Sequence, residues 1–416
     1  MQNSFYVQNR QRLLNELPNG AVAVFFAGEA PRKTADSYYS FFADRDYLYL
    51  SGADYEGFVL VLTKQDSKVA ETLYILPKDM LKERWNGYRY SAEEVREFSG
   101  IENIKYLESF ETDLFAIFRP GTITKLWLDL YKDRFGEPDN TTHRFAANMK
   151  NMFPGLTIEN LQPIMRKLRT IKAPCEIEAI KKAEEITKAG IIAMMKASRP
   201  GITEYELKAE YDYTIMKSGV ISNMSQPIIS AGTNNFFIHY NSFTGTANDG
   251  DMVLVDVGAD WDNIVTDVSR TWPVNGKFTE KQAALYNAAY ETSNYIFEII
   301  KPGMLMREVD ATARKVCAEK LIQIGLLDSV ENTGKYIWHG GAHHVGWDVH
   351  DMVAIDIQTS IIETGMIFCV DVGIYCEEWG IGFRLEDNCL ITDTGCVNLS
   401  ADIPRSITEI EAVLSQ

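Results

Sequence analysis

The sequence predicts a two-domain α/β protein whose C-terminal domain consists of two similar halves around a shared centre. Three observations predict it. A chain of 416 residues is too long for one ordinary hydrophobic core. Residues 1–165 alternate strand-like and helix-like segments, and residues 166–416 repeat a basic-Pro-Gly pattern followed by a helix.

In the first domain, AVAVFFAG (21–28), YLYLSG (47–52), GFVLVLT (57–63) and TLYILP (72–77) read as strands bounded by Gly, Pro or Asp. SAEEVREF (91–98) opens on Ser-x-x-Glu, a capping box, and reads as a helix. Strands and helices alternating in this way indicate an α/β domain. Pro154, Gly155 and Pro163 punctuate its end. From Pro174 a long helix is predicted, with Ile177, Ile180, Ala183, Ile186 and Ile191 along one face. RPGITEYELKAEYDYTIMKSG then begins at Arg199, and KPGMLMREVDATARKVCAEKLIQIG at Lys301. Each has an acid six positions past its proline (Glu206, Glu308), an aliphatic residue next (Leu207, Val309) and a helical run. Strand-rich stretches follow both copies, which is the basis for expecting two halves.

Hydrophobic residues make up 46% and charged residues 24%, the profile of a soluble globular protein. The 41 basic and 58 acidic side chains give a net charge of −17, which repels phosphate backbones and anionic lipid. Nucleic acid and membrane are therefore not expected as partners. No apolar run reaches the ~20 residues that span a bilayer. MQNSFYVQNRQRLLNELPNG lacks a basic stretch leading into an apolar one, so no signal peptide is expected. Cys175, Cys317, Cys369, Cys376, Cys389 and Cys396 show neither CxxC pairing nor framework spacing. Reduced, mostly buried thiols in a cytoplasmic protein are expected.

The residues that carry chemistry lie in the C-terminal half: Asp256, Asp267, His343, Asp371 and Glu386. Four carboxylates and one imidazole converging on a point would be untenable without cations, because buried like charges cost several kcal/mol each. Two divalent ions would match four negative charges with four positive ones, so the set reads as a dinuclear metal site. DMVLVDVGADWDNIVTDVSRTWPV (251–274) reads as a strand ending at Asp256, a turn, and a second strand carrying Asp267. WHGGAHHVGWDVHD holds His339, His343, His344 and His350 among glycines, and spacing does not choose which of them are ligands. GMIFCVDVGIYCEEWGIGFRLEDNCLIT (365–392) reads as two strands carrying Asp371 and Glu386. Alternation puts Arg384 on the same face as Glu386, where a cation can hold a carboxylate ionised. Taken singly, each residue also has a structural account as a turn residue, a core histidine or an ion pair. The set points to chemistry.

The segments DVGADWDNIVTDVSRTWPVNGKFT, HHVGWDVHD and GIGFRLEDNCLIT, in this order, resemble the pita-bread metallopeptidases, and within them the aminopeptidase P and prolidase group. LRTIKAPCEIEAIKKA is similar to that group's domain-linking helix, and the likeness covers essentially the whole chain. It implies an α/β (α+β) architecture: a creatinase-like N-terminal domain over 1–165 and a catalytic pita-bread domain with pseudo-twofold halves over 166–416. Carried over by position, it implies that Asp256 chelates one metal, Asp267 and Glu386 bridge two, His343 ligates the second, and Asp371 is the remaining ligand. It further implies that His239 and His350 contact substrate, that Arg384 supports Glu386, and that Tyr375 lines the site. Trp85, in KERWNGYR, would reach a neighbouring subunit's active site, which makes a homodimer or larger homo-oligomer the expected form.

The chain departs from the group at two positions. Where the group usually has Glu-Pro-Gly, this chain has Asp371-Val372-Gly373, shorter by one methylene, or roughly the ~1.5 Å of a carbon–carbon bond. Where the group often has a tyrosine between the two Asp ligands, this chain has Ile264. The implied activity is that of a Xaa-Pro aminopeptidase, which releases the N-terminal residue of peptides with proline second. Two divalent ions per subunit would activate a water, Asp371 would receive its proton, and His239 and His350 would stabilise the carbonyl oxygen. The carboxylate-rich shell favours manganese, with cobalt, iron and zinc as alternatives. Xaa-Pro dipeptidase, a metal-free creatinase-like hydrolase and a non-enzymatic binding module are the other readings.

Overall fold

Aliphatic runs buried on both faces sit at the middle of the sheet of the N-terminal part. Its strands are β1 (Ala21–Phe26), β2 (Val59–Gln65), β3 (Lys68–Ile75), β4 (Asn103–Tyr106), β5 (Lys125–Leu128) and β6 (Thr157–Asn160), in spatial order β4-β3-β2-β1-β5-β6. β1–β2 and β2–β3 are antiparallel, and the outer pairings are parallel. The structure is a computed structural model and describes residues 1–66, 68–221, 226–351 and 359–416. It divides into two units, Met1–Arg169 and Thr170–Gln416. The boundary read from the sequence, 165/166, falls inside the helix Gln162–Thr170. That helix buries Met165 and Leu168, and its Arg169 pairs with Asp46 at 2.9 Å, which ties it to the first unit.

YLYLSG is a helix, not the strand expected. Arg45–Ser51 is capped by Asp44, whose carboxylate accepts from the Tyr47 N–H at 2.8 Å, and it ends at Gly52 with φ +65°. Asp46 to Ser51 are all buried, so no polar face marks the helical period and the short apolar run reads as a strand. The capping box at Ser91 forms, with the Ser91 N–H donating to Glu94 at 2.7 Å at the start of the helix Ala92–Ser99.

The second unit runs through its plan twice. The helices Pro174–Ala197 and Glu204–Lys217 lead into β7 (Ile228–Ala231), β8 (Met252–Val257) and β9 (Val268–Pro273). The helices Glu280–Ile299 and Met306–Gln323 lead into β10 (Ala342–His344), β11 (Ile367–Cys376), β12 (Ile381–Ile391) and β13 (Cys396–Asn398). Gly201 and Gly303, in the corresponding turns, adopt φ +90° and +91°, a conformation that glycine takes without penalty. Glu206 accepts from the Thr203 N–H at 2.8 Å and Glu308 from the Leu305 N–H at 3.1 Å, so both acids of the repeat close the first turn of their helices. Thr203 and Leu305 also make matching isolated bridges, to Thr246 and Ile361.

The two sheets, β9-β8-β7 and β10-β11-β12-β13, are antiparallel throughout. Arg270 of β9 joins them: its guanidinium donates to the Glu386 carbonyl at 2.8 Å and to Asp387 Oδ1 at 2.7 Å. Arg405 reaches Asp387 Oδ2 at 2.7 Å from the other side. Phe383 and Leu385, on the opposite face of β12 from Glu386, are fully buried. All six cysteines are free thiols. Among the described residues no helix is long and apolar enough to cross a membrane.

Candidate metal centre

Strand register assembles the candidate residues. Asp371 of β11 stands opposite Glu386 of β12, and His343 of β10 opposite Cys369 of β11. Side chains alternate with period two, so Cys369, Asp371 and Gly373 share one face of β11, and Arg384, Glu386 and Asn388 share the adjoining face of β12. Asp256 lies near the end of β8, paired with Ser269. Asp267 sits one residue before β9 rather than within a strand. Asn388, an uncharged residue without a motif of its own, holds it there: the Asp267 N–H donates to Asn388 Oδ1 at 3.4 Å, and the Asn388 amide donates back to the Asp267 carbonyl. Ser269 was also not anticipated, and its hydroxyl donates to Glu386 Oε2 at 2.9 Å.

His343 Nε2 lies 3.0 Å from Glu386 Oε1 and 3.7 Å from Asp267 Oδ2. Arg384 donates to Asp256 Oδ2 at 2.8 Å and to the Tyr375 hydroxyl at 3.3 Å. His339 is the functional candidate that spacing failed to single out. Its Nδ1 is 3.0 Å from Asp371 Oδ2 and its Nε2 is 3.0 Å from the Tyr375 hydroxyl. A Cβ at Gly373 would lie 2.2 Å from His339 Nε2, so this close approach requires glycine. His344 is buried and its ring is pushed down to about 4, by burial first and then by Lys172, so it is a neutral core histidine.

The electrostatics favour a cation. Burial, then the charges of Glu386, Asp256 and Asp371, push the Asp267 carboxyl well above the usual carboxylate range. Glu386 is raised by burial and by Asp371 and Asp256. Asp371 goes the other way: burial raises it, but His339, Arg384 and His343 together outweigh burial and lower it. Burial would lower His343, but its hydrogen bond and attraction to Glu386 raise it. Asp256 Oδ1 and Asp371 Oδ1 are buried with no hydrogen-bond partner, a condition that calls for an explanation such as an ion. Ligand atoms of Asp267, His343, Cys369 and Glu386 all lie within 4.8 Å of one another. Carboxylates with an imidazole suit divalent ions, so Asp256, Asp267, His343, Asp371 and Glu386 could hold them.

His339 makes a pH dependence expected. Burial lowers its pKa, but Asp371 overcomes this and raises it from 6.5 to about 9. A raised histidine stabilises the fold fully below the unfolded value, and that contribution is lost as pH rises through the folded value. Metal-free protein should therefore lose melting temperature between pH 6.5 and 9, and His339→Gln should flatten that part of the curve. Parallel curves for the two proteins would exclude the His339–Asp371 pair as the source.

Two adjoining clefts meet at the centre, and His239, Asp256, Asp267 and His350 line both. His239 and His350 are exposed, and the His350 ring is 4.2 Å from that of His343. The structure thus brings together every sequence-selected residue of the second unit. Trp85 belongs to the first unit, on the helix Met80–Asn86, and is 89% exposed.

Known proteins resemble the chain over essentially its whole length. Residues 178–393 match the model of metallopeptidase family M24, and residues 6–127 match the N-terminal domain of aminopeptidase P. The chain is 28% identical to a Xaa-Pro aminopeptidase of Escherichia coli K12, over 98% of this chain and 97% of that protein. It is 27% identical to a Xaa-Pro aminopeptidase of Haemophilus influenzae, over 99% and 97%. Among solved structures, a provisionally assigned aminopeptidase P from Bacillus anthracis superposes with a TM-score of 0.97 at 37% identity, covering 100% of this chain and 99% of that one. Aminopeptidase P from E. coli with the inhibitor Pro-Leu gives 0.91 at 27%, covering 100% and 98%.

Proposed function

The chain belongs to metallopeptidase family M24, and from that premise we propose that it is a Xaa-Pro aminopeptidase, a hydrolase that releases the N-terminal residue of peptides with proline in second position. The observation that carries this reading is the meeting of Asp256, Asp267, His343, Asp371 and Glu386 at a cleft whose mouth holds His239 and His350. The Pro-Leu inhibitor of the E. coli relative supports it too, since Pro-Leu has the form of the fragment left after cleavage before proline.

The family implies divalent metal ions, and we read them as two per chain, manganese first, with cobalt, iron or zinc as alternatives. Asp256 would hold one ion, His343 and Asp371 the other, and Asp267 and Glu386 both. When bound, such ions supply the Lewis acidity that makes water a nucleophile near neutral pH. Asp371 Oδ1, free of hydrogen bonds, takes the proton released by the attacking water, while Oδ2 stays anchored to His339. Arg384 holds Asp256 Oδ2, and Ser269 holds Glu386 Oε2, so neither carboxylate is free to rotate. His239 and His350 donate to the carbonyl oxygen before proline, where negative charge develops.

Free thiols throughout support a reducing, cytoplasmic setting. The exposed Trp85 supports work as a homo-oligomer in which it meets a second copy. A peptide panel tests the activity. Xaa-Pro-Xaa tripeptides should lose their first residue in the presence of manganese, and analogues with alanine second should resist. Preference for Xaa-Pro dipeptides over tripeptides would replace this reading with a dipeptidase.

A further inference from the structure

Two cysteines of β11 and one of β12 lie in the same sheet, but they face different ways. Cys376 and Cys389 are out of phase with Asp371 and Glu386 and fall on the other side of the sheet. Cys369 is in phase with Asp371, is paired in register with both His343 and Asn388, and is 0% exposed. Its Sγ lies 3.9 Å from the Asp267 carbonyl. Sulfur, imidazole nitrogen and one oxygen each of Asp267 and Glu386 fall within 4.8 Å of one another, a spread that one ion can bridge. On the same face, Asp371 keeps a buried oxygen without a hydrogen-bond partner.

We propose that Cys369 is a further metal-binding residue: beside Asp371, its sulfur joins His343, Asp267 and Glu386 in a donor set that takes a thiophilic divalent ion of the zinc class. The inference rests on reading the cluster as a metal centre. Soft sulfur with imidazole selects zinc-like ions, whereas the oxygen-only position around Asp256 suits a harder one. The two positions then differ in preference, and the centre is mixed. Binding breaks the S–H bond, sends its proton to solvent and forms a sulfur–metal bond, with no change of oxidation state.

The test uses the whole chain, stripped of metal and titrated with Co2+. A sulfur-to-cobalt charge-transfer band should appear in the near ultraviolet, vanish in Cys369→Ser and persist in Cys376→Ser and Cys389→Ser. In competition, Cys369→Ser should lower the preference for Zn2+ over Mn2+ by about tenfold or more. If Cys369→Ser does not fold, X-ray absorption of the zinc-loaded native chain decides, with a sulfur neighbour at zinc expected. Cobalt bound without the band, a band that survives in Cys369→Ser, or zinc without a sulfur neighbour overturns the proposal. If such a result comes with manganese-dependent cleavage before proline, the aminopeptidase reading stands and only Cys369 is removed. A chain that binds no cobalt overturns both.

Discussion

Asp267→Ala abolishes metal binding and hydrolysis together. Asp267 is 7% exposed, and its carboxylate faces His343 and Glu386 at the junction of the two clefts. Placed to be shared by both ions, it has no neighbour that can replace it. A loss of at least about a thousandfold in kcat/KM is expected, which corresponds to about 4 kcal/mol of transition-state stabilisation. Metal bound per chain should fall to near zero. The fold should survive, because the substitution removes one of several mutually repelling buried carboxylates, one that burial and then its neighbours push well above the usual carboxylate range. The metal-free variant should therefore melt no lower than metal-free native protein. Normal turnover with full metal content would remove Asp267 from the centre.

Asp371→Glu lowers activity by about a hundredfold while metal remains bound. A longer side chain is naively the better ligand, but Asp371 is seated between fixed groups: Oδ2 is 3.0 Å from His339, and Glu386 stands directly opposite. One extra methylene moves the carboxylate by roughly 1.5 Å. Misplacement of about 1 Å at a reacting centre can cost a hundredfold. Overpacking a filled site adds about 1–3 kcal/mol of strain. The variant should show depressed kcat with near-native metal content. Higher activity would mean that the native centre is a loosened one that the longer acid tightens.

The fold was legible in sequence where local chemistry dictates it. The basic-Pro-Gly turns and their trailing acids marked both halves, because turn and cap residues act within a few positions of themselves. YLYLSG was misread because a helix buried all round has no polar face to betray its period. The carboxylates and His343 were legible as a set, since so much buried charge needs a common reason. His339 was not, because a glycine- and histidine-rich segment presents several equivalent rings, and only Asp371 and Tyr375 select one. Asn388 and Ser269 carry no charge and so left no signal. Cys369 looked like any thiol in an apolar strand, and its significance lies in His343 across the ladder, which only register reveals.

The adjacent acids Glu386 and Asp387 have a consequence for how the chain finds its register. One faces the centre, and the other is clasped by Arg270 and Arg405. A slip of β12 by one residue would turn each to the other side, since every side chain in a strand changes face together. Arg384 would then desert Asp256, and Phe383 and Leu385 would leave the core to enter a nest of carboxylates. The pair therefore marks the correct frame: a chain zipped one residue out meets unpaired charge on one side and lost packing on the other.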